Sequence, residues 1–210
     1  GEQVGRDMAA VVCPWLPLYD GKELDHRIAR CSVGVKMNDA PLPSRFDTVE
    51  ALEDFMTRPS EALIADLAAV DGDIIVLGVG GKMGPTLARL AKRAAPDKTV
   101  VGVSRFSESG LEERLRHHGI EPISADLNDR EAVGRLPQVR NVIFMAGRKF
   151  GSTGNEPLTW AANAYVPTVV AQAFKESRIV AYSTACVYPF VPVTGGGAAE
   201  DMPVDPPGEY

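Results

Sequence analysis

The chain has little of several features that would assign it to a specialised class of protein. Its 3 cysteines in 210 residues, Cys13, Cys31 and Cys186, are too few for a disulfide framework and lack the spacing of a metal site. No apolar run approaches the ~20 residues that a membrane-spanning helix needs. Acidic residues outnumber basic ones by 28 to 22, which disfavours a nucleic-acid partner.

The remaining composition is that of an ordinary globular protein. Hydrophobic residues make up 45% and charged residues 24% of a chain long enough for one good core with a small appendage. Prolines and acidic residues interrupt the start of the chain, which is a poor secretory signal. We therefore expect a protein of the cytoplasm that has no membrane partner.

Two basic clusters are interpreted as solvent-exposed helix faces. One consists of Arg89, Lys92 and Arg93, and the other of Arg114 and Arg116 beside two histidines. Each cluster lies late in a predicted helix, where cations suit the helix dipole. Neither cluster predicts a binding site.

The prediction of the fold starts from residues 71–94. Its apolar residues 74–77 and Val79 predict a strand buried on both faces, which is typical of a parallel sheet. After a glycine turn the apolar residues recur at helical spacing, at Leu87, Leu90, Ala91 and Ala94. A strand, a glycine turn and a helix in this order predict the first unit of an α/β fold.

Gly78, Gly81 and Gly84 occupy every third position of that turn. Each glycine removes a Cβ where a pyrophosphate or the sheet must approach the start of the helix. The free N–H groups and the positive end of the helix dipole then face an anion. A tight turn without a ligand is the alternative, but the flanking strand and helix favour a dinucleotide site.

The spacing G-x-x-G-x-x-G resembles the short-chain dehydrogenase/reductase superfamily. Later motifs resemble its extended branch, the NAD-dependent epimerase/dehydratase family. The stricter G-x-G-x-x-G spacing fails, because Met83 stands where its last glycine would be. The resemblance implies a doubly wound, Rossmann-like parallel sheet. It implies cofactor binding by Gly78, Gly81, Lys82, Met83 and Gly84.

The end of the second predicted strand, 99–103, bears on the choice of cofactor. In dinucleotide-binding folds a carboxylate near this position binds the ribose 2′-OH, whereas an arginine accommodates a 2′-phosphate. Here Ser104 and Arg105 offer a hydroxyl and a guanidinium, with no carboxylate to repel phosphate. NADP is therefore favoured, and NAD stays open; an exposed arginine without a ligand is the alternative.

Two more segments follow predicted parallel strands. The strand 120–125, which Pro122 assigns to a sheet edge, ends in Asp126 and Leu127, where the resemblance implies contact with adenine. Asp126 or Asn128 could instead cap the helix 129–136. The strand 141–145 leads into an A-G-x-K motif like that of sugar epimerases, which implies contacts with the nicotinamide ribose and phosphates. Its residues are Ala146, Gly147, Arg148 and Lys149.

A long helix is predicted for 156–175, with a kink or restart at Pro167. Asn163 matches the asparagine with which the family fixes the backbone of its active site. Trp160 and Tyr165 lie with apolar residues on one helical face, which predicts that they belong to the core.

The strand 178–182 precedes the residues that resemble a catalytic segment. S-T-A-C-V-Y-P, residues 183–189, is similar to the Ser-Ser/Thr-x-x-Val-Tyr-Gly of the extended branch, which implies that Thr184, or Ser183 in its place, binds the substrate oxygen. Dehydratases of the family carry Asp and Glu where this chain has Ala185 and Cys186, so dehydration is disfavoured.

The resemblance implies that Tyr210 is the catalytic tyrosine of a Tyr-x-x-x-Lys motif. A free tyrosine is too weak a base at neutral pH, so hydride transfer at an alcohol needs a nearby cation to activate it. The lysine of the motif would follow the printed sequence, as would the family's C-terminal substrate domain. We therefore expect this chain to bind nucleotide but to turn over little or no substrate.

These observations predict three parts: an N-terminal extension of unclear role (1–45), a helical lead-in (46–71) and a dinucleotide-binding domain (72–210). The leading function is an NAD(P)-dependent oxidoreductase or epimerase of carbohydrate metabolism, with a sugar or nucleotide sugar as its small-molecule substrate. A ketone or aldehyde reductase, and an NADP-sensing regulator without catalysis, remain alternatives. A homodimer is left open.

Overall fold

The computed structural model describes residues 43–210, so most of the predicted extension 1–45 lies outside the described residues. Two helices precede the sheet, α1 (Val49–Met56) and α2 (Glu61–Ala69). The side chain of Thr48 caps α1 by accepting from the N–H of Ala51, and Ser60 caps α2 in the same way through Leu63. No helix within the described part is both long and apolar enough to cross a bilayer.

Five parallel strands form the single sheet of the described residues. They are β1 (Ile74–Leu77), β2 (Val100–Ser104), β3 (Glu121–Ser124), β4 (Asn141–Phe144) and β5 (Arg178–Ala181). Their order is β3-β2-β1-β4-β5, so the strand order reverses between β1 and β4. The predicted doubly wound, Rossmann-like fold is confirmed, and Pro122 lies on an edge strand as expected.

Helices cover both faces of this sheet. They are α3 (Gly84–Ala94), α4 (Leu111–His117), α5 (Arg130–Gly134), α6 (Glu156–Trp160) and α7 (Val166–Ala173). One core cluster joins Ile74 and Val76 of β1 to α3 and α4, and the other joins Ile75 and Leu77 to α5 and α7. Successive side chains of β1 therefore enter opposite cores, and all four are at most 2% exposed.

The buried face of α3 is lined by small residues. Gly84, Ala88, Ala91 and Ala94 are buried, whereas Leu87 and Leu90 of the predicted apolar face are only partly covered. The small residues bring the helix close to the sheet.

The basic cluster on α3 is not the solvent-exposed face that was predicted. The carboxylate of Asp54 on α1 lies 3.2 Å from Arg89 and 3.0 Å from Arg93, and the Arg89 side chain is only 17% exposed. Arg93 also donates to the hydroxyl of Thr57 at 2.9 Å. These arginines attach α1 to α3 across more than thirty residues of sequence, a partnership that local spacing does not reveal.

The helix predicted for 156–175 is interrupted. A π-helical turn, Ala161–Tyr165, separates α6 from α7 just before Pro167, which has no N–H to donate to the Asn163 carbonyl. The prediction that Trp160 and Tyr165 belong to the core is wrong, because they are 58% and 48% exposed. The wider turn shifts the helical register, so a period of 3.6 residues does not carry across it.

Candidate functional site

The glycine turn between β1 and α3 is shaped by two close approaches and one open position. A Cβ at Gly78, which has φ of 94°, would lie 2.7 Å from the backbone nitrogen of Ala146, and one at Gly84 would lie 2.2 Å from the carbonyl oxygen of Val79. A Cβ at Gly81 would meet only the Gly78 carbonyl, at 3.4 Å. Packing therefore requires Gly78 and Gly84, whereas Gly81 leaves one side of the helix start uncovered.

The end of β2 and the loop after β4 come together around this turn. Ala146, after β4, is adjacent to Gly78, and Ser104, at the end of β2, is adjacent to Gly80. A Cβ at Gly80 would lie 2.7 Å from the Ser104 hydroxyl, which accepts from the N–H of Phe106. The sequence prediction missed Gly80, although its place between two motif glycines was a signal.

Asn163 fixes the loop that follows β4. Its side-chain oxygen accepts from the N–H of Arg148 at 2.7 Å, and its nitrogen donates to the carbonyl of the same residue at 3.0 Å. The Arg148 guanidinium donates to the carbonyl of Gly151, but its buried Nε atom has no hydrogen-bond partner. The loop thus holds a cation beside the point where the strand order reverses.

Arg105 and Asp126 stand shortly after the ends of β2 and β3. The Asp126 carboxylate accepts from the backbone and side-chain N–H groups of Asn128, and these bonds, with the charge of Arg105, lower the pKa of Asp126. The helix cap here is Asp129, so the capping alternative for Asp126 and Asn128 is wrong. Leu127 is 8% exposed within the core, so only its backbone can face a ligand.

The predicted catalytic residues follow β5. Ser183 is exposed, and the Thr184 hydroxyl accepts from the N–H of Cys186 at 3.1 Å, at the start of a short 3-10 turn. The ring centroid of Tyr210 lies 5.7 Å from the Nζ atom of Lys149. Within the described chain, no hydrogen bond joins Tyr210 to Thr184 or Ser183.

Two contacts attach the end of the chain to α6 and to the turn after β5. The indole N–H of Trp160 donates to the Glu209 carboxylate at 2.6 Å, and the N–H of Asp205 donates to the carbonyl of Val187. Trp160 is therefore exposed for a reason that helical periodicity did not indicate: it holds the segment that carries Tyr210.

The residues present fit a dinucleotide. The uncovered side at Gly81 adjoins the amino end of an 11-residue helix, where N–H groups lack intrahelical partners. The unpartnered nitrogen of Arg148 adds a cation at the neighbouring loop. Among residues 43–210, no cluster of His, Cys, Asp or Glu is arranged to hold a metal ion.

Comparison with protein families gives a match over residues 74–210 to the model of the NAD dependent epimerase/dehydratase family. The chain belongs to this family. The matched residues begin at β1 and include the glycine turn, the β4 loop and Tyr210. A comparison with curated proteins finds no match.

Several solved structures have the same fold. ADP-L-glycero-D-manno-heptose-6-epimerase of Helicobacter pylori aligns with a TM-score of 0.53 and 21% identity, over 63% of this chain and 45% of its own. UDP-glucose-4-epimerase of Stenotrophomonas maltophila, with NAD and formylated UDP-arabinopyranose, aligns with a TM-score of 0.54 and 21% identity, over 64% of this chain and 43% of its own.

The Bordetella bronchiseptica enzyme WbmG, solved with NAD and UDP, aligns with a TM-score of 0.54 and 18% identity, over 65% of this chain and 44% of its own. The chain thus spans less than half the length of these solved relatives. At identities this low, the similarity shows a shared fold alone.

Proposed function

We propose that the chain is the nucleotide-binding part of an NAD(P)-dependent oxidoreductase or epimerase that acts on a sugar or nucleotide sugar. The observation that carries the proposal is the glycine turn. Of the four glycines in this turn, only Gly81 could carry a Cβ without a contact shorter than 3.4 Å, and it lies just before α3 beside the reversal of strand order. In open α/β sheets this crevice is where nucleotides bind.

Each loop around the crevice has a proposed part in holding the cofactor. The backbone of Gly81, Lys82 and Met83 faces the diphosphate. Ala146 and Gly147 admit the nicotinamide ribose, with Arg148 and Lys149 as the nearby cations. The Asn163 side chain keeps this loop in place through Arg148. Asp126, with the backbone of Leu127, faces the adenine.

The proposed chemistry is proton transfer at a substrate hydroxyl. When bound, the nicotinamide supplies a hydride acceptor or donor. Thr184, or Ser183, positions the substrate oxygen, and Tyr210 moves its proton. Ala185 and Cys186 provide no acid and base pair for loss of water, which favours oxidation, reduction or epimerisation over dehydration.

The proposed cofactor is NADP, with NAD as the alternative. Ser104 lies against the glycine turn, and neither it nor Arg105 is a carboxylate that would repel a 2′-phosphate. Two of the solved structures described above, the Stenotrophomonas maltophila epimerase and WbmG, contain NAD, so a preference for NADP would distinguish this chain from them.

Two other functions remain open. A ketone or aldehyde reductase would use the same residues with a smaller substrate. A regulator that senses NADP would keep the crevice but lack the activated tyrosine; a non-basic residue four positions after Tyr210 in the full-length protein would favour it.

The test combines binding with turnover. NADPH and NADH are titrated into the purified chain, and nicotinamide fluorescence reports binding. In the full-length protein, Tyr210→Phe should leave NADPH binding unchanged and abolish sugar-dependent oxidation or reduction of the cofactor. Unchanged turnover would remove Tyr210 from the mechanism, and failure of both nucleotides to bind would overturn the proposal.

A further inference from the structure

A cavity of about 390 Å³ lies between α3 and α4, on the outer side of the glycine turn. Its volume is within the range of small-ligand pockets, roughly 300–1,000 Å³. The backbone of Gly80 and Gly81 forms part of its wall. Charged or titratable side chains form much of the remainder: Glu53, Lys82, Arg89, Glu108, Arg114 and His118.

The cavity lies near the end of β2. Gly80 lines it, and the hydroxyl of Ser104 is so close to Gly80 that a Cβ there would lie at 2.7 Å. The adenosine ribose of a dinucleotide lies at the end of this strand. A substituent on the ribose 2′ oxygen would therefore have a direct path into the cavity.

The basic side chains of the cavity differ in how readily they could bind an anion. Arg89 is largely covered and is 3.2 Å from the Asp54 carboxylate. Burial, the charge of Arg89 and the neighbouring His117 lower the pKa of His118, so it offers a neutral ring at neutral pH. Lys82 is exposed and makes no ion pair with any residue in 43–210. Within the described part of the chain, Arg114 forms an ion pair with Glu108 alone, at 2.9 Å.

Arg105 has a different neighbour. Its charge acts on the Asp126 carboxylate, and neither Arg105 nor Asp126 lines the cavity. A phosphate placed beside Arg105 would therefore approach a carboxylate. The cavity offers Lys82 and Arg114 instead.

We propose that this cavity receives the 2′-phosphate of NADP and that Arg114 and Lys82 are its cationic ligands. The inference rests on the proposed nucleotide-binding function. It means that residues of the glycine turn and α4, and not those at the end of β2, determine the preference for NADP over NAD. Glu108 restrains Arg114 and opposes phosphate binding. Arg114 differs from Arg116 because Arg114 lines the cavity. Arg116 does not line it and pairs with Glu112 on the same helix.

The experiment measures dissociation constants of NADP and NAD by calorimetry for the purified chain and four variants. Arg114→Ala should weaken NADP binding about tenfold, the size of one charge-assisted hydrogen bond, and leave NAD binding within twofold. Lys82→Met should act in the same direction. Glu108→Gln should tighten NADP binding, and the matched control Arg116→Ala should change neither cofactor.

The outcomes separate the two proposals. If the chain binds dinucleotides but Arg114→Ala and Lys82→Met weaken NADP and NAD equally, or weaken neither, the cavity does not bind the 2′-phosphate while the proposed function stands. If the unaltered chain binds neither NADP nor NAD, the proposed function fails, and this inference fails with it. Tighter NADP binding by Glu108→Gln, with NAD unchanged, supports the assignment.

Discussion

The side chain of Asn163 hydrogen-bonds both backbone groups of Arg148, accepting from its N–H at 2.7 Å and donating to its carbonyl at 3.0 Å. Asn163 belongs to a π-helical turn, and Arg148 to the loop after β4. One side chain therefore fixes the position of the loop relative to the helix, and with it the proposed path of the nicotinamide ribose.

Asn163→Ala should loosen this loop. Loss of both hydrogen bonds is expected to lower the free energy of unfolding by about 1–3 kcal/mol and to weaken NADP binding, because Arg148 and Lys149 lose their fixed position. Chemical denaturation and cofactor titration measure the two effects. Asn155→Ala is the control, since Asn155 makes no side-chain bond at the start of α6. Equal effects of the two variants would contradict the assigned role.

Gly84→Ala should destabilise the fold. The added Cβ would lie 2.2 Å from the Val79 carbonyl oxygen, and only a backbone shift could relieve that contact. A loss of about 3 kcal/mol in the free energy of unfolding is expected, at the upper end of overpacking effects. Gly134→Ala in α5 is the control, because a Cβ there meets nothing within 4 Å. If the Gly84→Ala and Gly134→Ala variants unfold at comparable denaturant midpoints, the contact with the Val79 carbonyl does not determine stability.

Much of this architecture follows from local sequence pattern. Continuous apolar residues predicted β1, and the glycine spacing predicted the turn into α3. Pro122 predicted an edge strand because it cannot donate to a second neighbour. Partnerships between distant segments could not be predicted. Asp54 and Arg89 are 35 positions apart, and nothing in the pattern around either one indicates the other.

The parts of the site that lie in a sequence motif could be predicted. The parts that form by contact between distant segments could not. Glycines and hydroxyl residues at fixed spacing indicated the crevice. The cavity between α3 and α4 has walls from three separate helices and two loops, so no short stretch of sequence describes it. Trp160 was assigned to the core because the π-helical turn that changes its register has no strong sequence signal.

The attachment of α1 to α3 should depend on acidity. Hydrogen bonds from Arg58 and the charge of Arg93 lower the pKa of Asp54 below its ordinary value of 3.8. A carboxyl group with a lowered pKa stabilises the fold above its ordinary value, and this contribution is lost as the pH falls through the lowered value. Thermal unfolding should therefore show Asp54→Asn less stable than the unaltered chain at pH 7.

The difference should shrink below about pH 4, where Asp54 of the unfolded chain becomes protonated, and should be lost as the pH falls through the lowered pKa of the folded chain. Asp66→Asn, on the exposed side of α2, is the control and should change little at any pH. A difference for Asp54→Asn that stays constant from pH 7 to pH 3 would show that its charge does not hold α1.

The segment that carries Tyr210 should depend on Trp160. Its indole N–H donates to Glu209 at 2.6 Å, and phenylalanine would keep an aromatic ring but remove that donor. Trp160→Phe is expected to speed amide hydrogen exchange in residues 200–210, since few other contacts hold them. Mass spectrometry measures the exchange. Phe174→Leu, in the buried core, should not act selectively on this segment, and unchanged exchange in Trp160→Phe would show that the contact is dispensable.

The central claim is that a nucleotide diphosphate binds against the open side of the turn at Gly81. The most direct measurement is the affinity of the purified chain for NADP and NAD with and without Gly81→Ala. The new Cβ would meet only the Gly78 carbonyl at 3.4 Å, so stability should change by no more than about 0.5 kcal/mol. The account predicts at least about a tenfold loss of affinity, equivalent to ~1.4 kcal/mol. A stable Gly81→Ala variant that binds both cofactors as tightly as the unaltered chain would contradict it.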